Sequence, residues 1–223
     1  MEPTRTTPIV ILDFDGTITR QDIGDALCDQ FADPSWRNID RLWEQGRLSL
    51  DDAQRAMWAT FRASRTQTDA WLSTHAAIRD GFDVFIDTCR SFNIPLILAS
   101  GGFDHYIHTI LGHRVAEFDA VFCNSLRFID DFRVSVEFPF KNTFGCDRCP
   151  VCKGKICQHY AQAADVIFVG DGTSDRCAID VATRLCVVRG SKLHRECDLR
   201  GRNVVLFDSF RELITQTTET MRL

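Results

Sequence analysis

An apolar run, Pro8-Ile9-Val10-Ile11-Leu12, leads directly into Asp13-Phe14-Asp15-Gly16-Thr17, and this junction constrains the chain more than any other stretch. The run has the length and β-branching of a buried strand. Its two aspartates therefore fall at the strand's carboxyl end, where ligands bind in open α/β sheets. Side chains alternate along an extended backbone, so Asp13 and Asp15 can face one side while Phe14 turns away. Two carboxylates this close repel in a partly buried site unless a cation lies between them or one holds a proton. Gly16 permits a sharp turn, and Thr17 adds a hydroxyl and an N–H donor.

Two further apolar segments end in polar, glycine-containing turns. Leu96-Ile97-Leu98-Ala99 runs into Ser100-Gly101-Gly102, with a helix expected from near Phe103 to Leu111. Asp165-Val166-Ile167-Phe168-Val169 runs into Gly170-Asp171-Gly172-Thr173-Ser174-Asp175, with a helix expected from about Asp175 to Ala182. Other short strands are expected at Ala120–Cys123, Leu185–Val188 and Val204–Leu206, with a hairpin around Asp130-Asp131. Helices are expected over Gly81–Phe92, Gly154–Ala163, Leu193–Leu199 and Ser209–Met221. Strand and helix alternate, which implies an α/β fold with a Rossmann-like parallel sheet covered on both faces. All three polar turns then meet at one sheet edge.

Between the first and second turns, Ile18 to about Ala77 carries apolar residues at helical spacing, broken at Asp33-Pro34-Ser35 and Gln45-Gly46-Arg47. All four tryptophans, Trp36, Trp43, Trp58 and Trp71, lie here. At 223 residues, the chain suits an α/β core with a small inserted unit. The expected boundaries are 1–19 and 78–223 for the core and 20–77 for a helical cap.

The convergent edge carries carboxylates from Asp13, Asp15, Asp171 and Asp175 and donors from Thr17, Ser100 and the Gly101 backbone. Clustered carboxylates suit Mg²⁺, and hydroxyl and N–H donors beside a divalent ion suit a phosphoryl group. A fixed positive charge is also needed. Lys153 and Lys155, ahead of a helix, both qualify.

These motifs, D-F-D-G-T-I, S-G-G, a lysine before a helix, and G-D-G-T-S-D, resemble in order those of the haloacid-dehalogenase superfamily of phosphatases, over about residues 9 to 188. The inserted helical segment is similar to the cap of the phosphoserine-phosphatase-like branch. Ile78-Arg79-Asp80-Gly81-Phe82, Asn93-Ile94-Pro95, Ser100-Gly101-Gly102-Phe103-Asp104 and Cys152-Lys153 resemble the methionine-salvage 2-hydroxy-3-keto-5-methylthiopentenyl-1-phosphate phosphatases. The resemblance implies that Asp13 is a nucleophile forming an aspartyl-phosphate and Asp15 the general acid and base. Mg²⁺ would be held by Asp13, the Asp15 backbone carbonyl and Asp171, with Asp175 orienting the ion or its waters. Thr17, Ser100, Gly101 and Lys153 would bind phosphate, and Lys153 is preferred over Lys155 because it follows Cys152.

The implied substrate is a small-metabolite phosphomonoester, selected by Asp22, Asp25, Trp36, Trp43 or Arg47 in the inserted segment. Alternatives within the superfamily are phosphoserine, phosphoethanolamine or phosphocholine, or a specialised biosynthetic intermediate. Gly16 and the cysteine cluster depart from the phosphoserine phosphatases. An alternative of another class is a non-catalytic binding protein on the same fold, against which the intact Asp13/Asp15 pair argues.

Ten cysteines are present. Cys28, Cys89, Cys123, Cys177, Cys186 and Cys197 are scattered in apolar or helical contexts and read as small buried hydrophobes. Cys146, Cys149, Cys152 and Cys157 are clustered. In a reducing compartment that spacing favours metal over disulfides, and four thiolates suit a structural zinc, with His159 as an alternative fourth ligand. Pro150 does not match the usual run for an iron–sulfur cluster. The net charge of −5 and the lack of a basic run argue against a nucleic-acid partner. No apolar stretch approaches a membrane span, and the polar N-terminus lacks a signal-peptide core, so a cytoplasmic location is expected.

Overall fold

The structure, a computed structural model, describes residues 7–214. Its centre is β1 (Ile9–Leu12), flanked by β2 (Leu96–Phe103) and β5 (Val166–Gly170). Outward from β2 lie β3 (Ala120–Phe128) and β4 (Val134–Glu137). Outward from β5 lie β6 (Arg184–Val188) and β7 (Val205–Phe207). The sheet order is β4-β3-β2-β1-β5-β6-β7, parallel except where β4 turns back on β3.

Alternation along β1 divides the core. Val10 and Leu12 join the apolar cluster on one face, and Ile9 and Ile11 join the other. β5 divides likewise, Ile167 and Val169 against Val166 and Phe168. Such double-sided burial is what a parallel central strand requires. Each fully covered Ile or Leu contributes about 1.5–3 kcal/mol.

Helices α5 (Phe82–Ser91) and α6 (Asp104–Leu111) cover the first face. Helices α7 (Lys153–Tyr160) and α8 (Lys192–Leu199) cover the second through Ile156, Cys157, Leu193 and Cys197. Between β1 and α5 run α1 (Ile23–Phe31), α2 (Trp36–Glu44), α3 (Leu50–Trp58) and α4 (Arg65–His75). Their starts are chemically marked. Asp22 accepts from the Asp25 N–H, Ser49 from Asp52, and Ser64 and Gln67 form a reciprocal box. Trp36 and Trp58 are buried. The Trp58 ring meets Phe61 at 5.0 Å and Phe103, at the end of β2, at 4.9 Å. The inserted helices therefore share one apolar cluster with the sheet.

Three expectations need correction. β2 does not stop at Ser100 but continues through both glycines to Phe103, with a register shift between Ala99 and Phe103. The 120–123 strand and the first hairpin arm are one strand, β3, held by β2 on one side and β4 on the other. Beyond Gly172 the chain forms a 3-10 turn, Thr173–Ala178, rather than an α-helix to Ala182. Of the expected terminal helix, residues 210–214 are helical, and 215–221 lie outside the described residues.

Candidate active site

The carboxyl ends of β1, β2 and β5 open into a cavity of about 330 Å³, roofed by α1, α2 and α3. The turn after β1 closes on itself: the Thr19 N–H donates to the Phe14 carbonyl, and Gly16 adopts φ +72°. A side chain at residue 16 would overlap the Asp171 carboxylate, so glycine is needed for both conformation and space. The turn is pinned from outside by Arg79, whose guanidinium donates to the carbonyls of Gly16 at 2.5 Å, Thr17 at 2.8 Å and Asp208 at 3.3 Å.

Asp13, Asp171 and Asp175 come together, each offering a carboxylate oxygen within 4.8 Å of the other two. Asp13 Oδ1 accepts from the Phe14 N–H at 2.7 Å and from Lys153 Nζ at 2.7 Å. Its Oδ2 has no hydrogen-bond partner among the described residues. Lys153 is 1% exposed. Besides Asp13, its ammonium pairs with Asp175 Oδ1 and donates to Ser174 Oγ at 3.0 Å. Asp175 Oδ2 takes the backbone N–H groups of Asp171 and Gly172, both at 2.9 Å. Both oxygens of Asp175 are thus committed, one to aiming the lysine and one to shaping the loop. Lys155 instead reaches Gln158 on the surface.

Asp15 faces a different set. Its Oδ1 accepts from the Ile23 N–H at 3.0 Å, and its Oδ2 from the Tyr106 hydroxyl at 2.9 Å. Burial, followed by repulsion from Asp22, raises its pKa to about 8, so it holds a proton at neutral pH. Burial and the Asp175 charge push Asp13 well above the carboxylate range against the pull of Lys153. The same two causes bring Asp171 to about 7. Burial alone would lower Lys153, but Asp13 and Asp175 outweigh it and keep the ammonium charged.

Two expected phosphate donors are differently engaged. The Thr17 hydroxyl donates to Asp171 Oδ1 at 2.9 Å, so it orients a carboxylate. Ser100 is fully buried, accepts from the Gly102 N–H at 2.9 Å and lies 3.5 Å from Asp15 Oδ2. Gly101 lines the cavity, while its carbonyl is held by Gln54 and Asn124, each at 2.7 Å. Of the expected selectivity residues, Asp22, Asp25 and Trp43 line the cavity; Trp36 is buried in the core and Arg47 is elsewhere. Asp40 and Glu44 add to an acidic wall, with Glu44 paired to Lys192 of α8 at 2.6 Å. Sequence reasoning missed Tyr106 and Arg79 as site residues. Tyr106 lies one helical turn past Phe103, and Arg79 lies within the quoted Ile78-Arg79-Asp80-Gly81-Phe82 motif, which is the available signal for each.

Cys146, Cys149 and Cys152 bring their sulfurs within 4.8 Å of one another. Cys157 does not join them. It points from α7 into the apolar cluster of the second face and is fully buried. Cys177, expected to be buried, is exposed; the other five scattered cysteines are buried as read. Among the described residues no helix is long and apolar enough to cross a membrane.

Known proteins are similar to this chain in sequence and in fold. A 2-hydroxy-3-keto-5-methylthiopentenyl-1-phosphate phosphatase of Bacillus velezensis is 28% identical over 212 residues, covering 94% of this chain and 89% of that protein. A protein of the same name from Exiguobacterium sp. is 30% identical over 209 residues, covering 92% and 94%. A solved substrate-bound phosphoserine phosphatase superposes with a TM-score of 0.72 at 17% identity, covering 95% of this chain and 99% of that one. The pattern of the haloacid dehalogenase-like hydrolases matches residues 10–180, well over half of the sequence, and this chain belongs to that family of enzymes.

Proposed function

We propose that the protein is a Mg²⁺-dependent phosphatase that hydrolyses a small phosphomonoester through a phosphorylated Asp13. The observation that carries this reading is the pairing of a charged, fully buried Lys153 with Asp13, beside an Asp15 that keeps its proton. The donor set suits the ion. Two oxygens bound to one Mg²⁺ at about 2.0–2.1 Å lie no more than about 4.2 Å apart. The Asp13 and Asp171 carboxylates already offer oxygens within 4.8 Å of each other and need little adjustment. Asp13 and Asp171 would hold it with the Asp15 carbonyl, and Asp175 would position Lys153. When bound, the cation would keep Asp13 ionised against the burial that raises its pKa and offset its repulsion from a phosphate dianion.

Asp13 Oδ2 attacks phosphorus as the bond to the leaving oxygen breaks, and Asp15 gives that oxygen its proton. Asp15, now ionised, takes a proton from water, which attacks the acyl phosphate and restores Asp13. Lys153 and the Gly101 N–H bind the transferring oxygens. Residues 1–19 and 78–223 act as the catalytic core, and 20–77 as a cap that selects the leaving group. The relatives' names make 2-hydroxy-3-keto-5-methylthiopentenyl-1-phosphate the first substrate to test. One observation favours a second reading: burial raises the pKa of Asp22, Asp25 and Asp40 along one wall, and a leaving group that carries a positive charge, such as an amino alcohol, would let them ionise.

The test is phosphate release from a panel containing both classes, with and without Mg²⁺. Turnover of the keto-pentenyl ester supports the first reading, and preference for amino-alcohol esters supports the second. No turnover of any ester, p-nitrophenyl phosphate included, by folded protein with Mg²⁺ would leave a binding protein.

A further inference from the structure

The segment 138–152 contains neither helix nor strand. A loop of this length inside a compact fold needs something to hold it. Phe140 and Phe144 pack against Phe122 at its start, each with ring centroids 5.2 Å away. Its end is tied differently. Cys146 and Cys149 converge on Cys152, which immediately precedes α7.

A fourth thiol reaches the same place from another part of the chain. Cys177, on the 3-10 turn after β5, faces the start of α7, where the Gly154 N–H donates to its sulfur. The approach is permitted by Gly154: a side chain there would overlap the Cys177 carbonyl and lie 2.9 Å from its Cβ. The Gly154 N–H, in the first turn of α7, donates to Cys177 Sγ at 3.1 Å. The neighbouring thiols of Cys149 and Cys177 lower the Cys152 pKa, as sulfurs gathered around one thiolate would. Backbone N–H groups aimed at sulfur at a helix start stabilise thiolates and are the outer-shell support a thiolate–metal centre uses.

We propose that Cys146, Cys149, Cys152 and Cys177 bind one structural Zn²⁺. Four thiolates at about 2.3 Å from zinc sit roughly 3.8 Å apart at tetrahedral corners. Three of the sulfurs already satisfy a 4.8 Å limit. Cys177 stands outside that mutual set, donating weakly to the Ser174 carbonyl at 3.6 Å. A rotation of its side chain that gives up this bond completes the four. The ion would clamp the residue before Lys153 to the turn that carries Asp175, fixing from behind the two elements that meet in the cavity. The proposal does not rest on the phosphatase reading, because zinc content is measured without turnover.

The test uses the full chain, purified under reducing conditions without chelator and reconstituted anaerobically with zinc. Elemental analysis is expected to give about one zinc per chain in wild type and in Cys157→Ser. X-ray absorption at the zinc edge should give four sulfur neighbours in wild type and three in Cys177→Ser. The Cys177→Ser protein should lose its metal to a chelator that leaves wild type loaded. Less than about a tenth of an equivalent of zinc, iron in its place, or a disulfide within the cluster under these conditions would overturn the site. Three sulfurs in wild type, unchanged in Cys177→Ser, would overturn the assignment of Cys177. Should Cys177→Ser fail to fold, the sulfur count in Cys157→Ser decides: four sulfurs support Cys177, and three would overturn its assignment.

Discussion

Replacing Arg79 tests whether the turn bearing Asp15 is held from outside the cavity. Its guanidinium makes two contacts under 3 Å, to the Gly16 and Thr17 carbonyls, and a longer one to Asp208. A hydrogen bond from a charged donor is worth about 1.5–3 kcal/mol. The side chain is only half-buried, so water recovers part of each, and about 2–3 kcal/mol in total is a suitable discount. In a chain of this size 1 kcal/mol moves Tm by about 2–4 °C, so Arg79→Met should lower it by roughly 4–12 °C. The turn also sets the direction of Asp15, and a displacement near 1 Å there costs on the order of 10²-fold in kcat/KM. Arg79→Lys keeps the charge but cannot span both carbonyls, so it should recover only a fraction of either loss. Circular dichroism on heating and turnover of p-nitrophenyl phosphate measure the two effects. A Tm within 2 °C of wild type, together with unchanged kcat/KM, would refute the idea that Arg79 pins the turn.

Asp13→Asn should abolish turnover while leaving the chain folded; activity equal to wild type would remove the nucleophile assignment. Asp15 must hold its proton to act as the acid, and its raised pKa is about 8, so kcat/KM should fall as pH rises through that value. Tyr106→Phe removes a bond that favours the ionised form, moving this alkaline limb up by ~1–2 units; a pH profile that does not move would separate Tyr106 from Asp15. Gly16→Ala places a methyl against Asp171 and imposes a left-handed conformation costing ~1–2 kcal/mol. The Mg²⁺ concentration needed for half-maximal rate should therefore rise, as a metal titration would show.

Much of this site was legible because it is built where strand periodicity stops. The runs before Asp13, Ser100 and Gly170 are apolar enough to mark central strands, and parallel strands bring their carboxyl ends to one edge. The choice between Lys153 and Lys155 was not open to spacing alone. It follows from the helix beginning at residue 153, which turns that side chain inward and leaves Lys155 outside. The partner of the Thr17 hydroxyl could not be read locally, because it is a carboxylate 154 residues away. Cys157 falls in the cysteine cluster by its proximity in sequence, yet α7 turns it into the core, while the 3-10 turn brings Cys177 to the start of that helix. Ser100 looked like the end of a strand because glycines usually terminate one, yet a register shift lets β2 run on.

The walls of the cavity differ in how firmly they are fastened. On the α3 side, Trp58 is locked against Phe103 in the shared core, and the half-buried Gln54 holds the Gly101 carbonyl. On the α2 side, the closure toward α8 is the exposed Glu44–Lys192 pair, a contact of a kind worth no more than about 1 kcal/mol and weakened by salt. Breathing of the rim should therefore occur at α2. Added electrolyte would ease a ligand's passage there while leaving the opposite wall rigid.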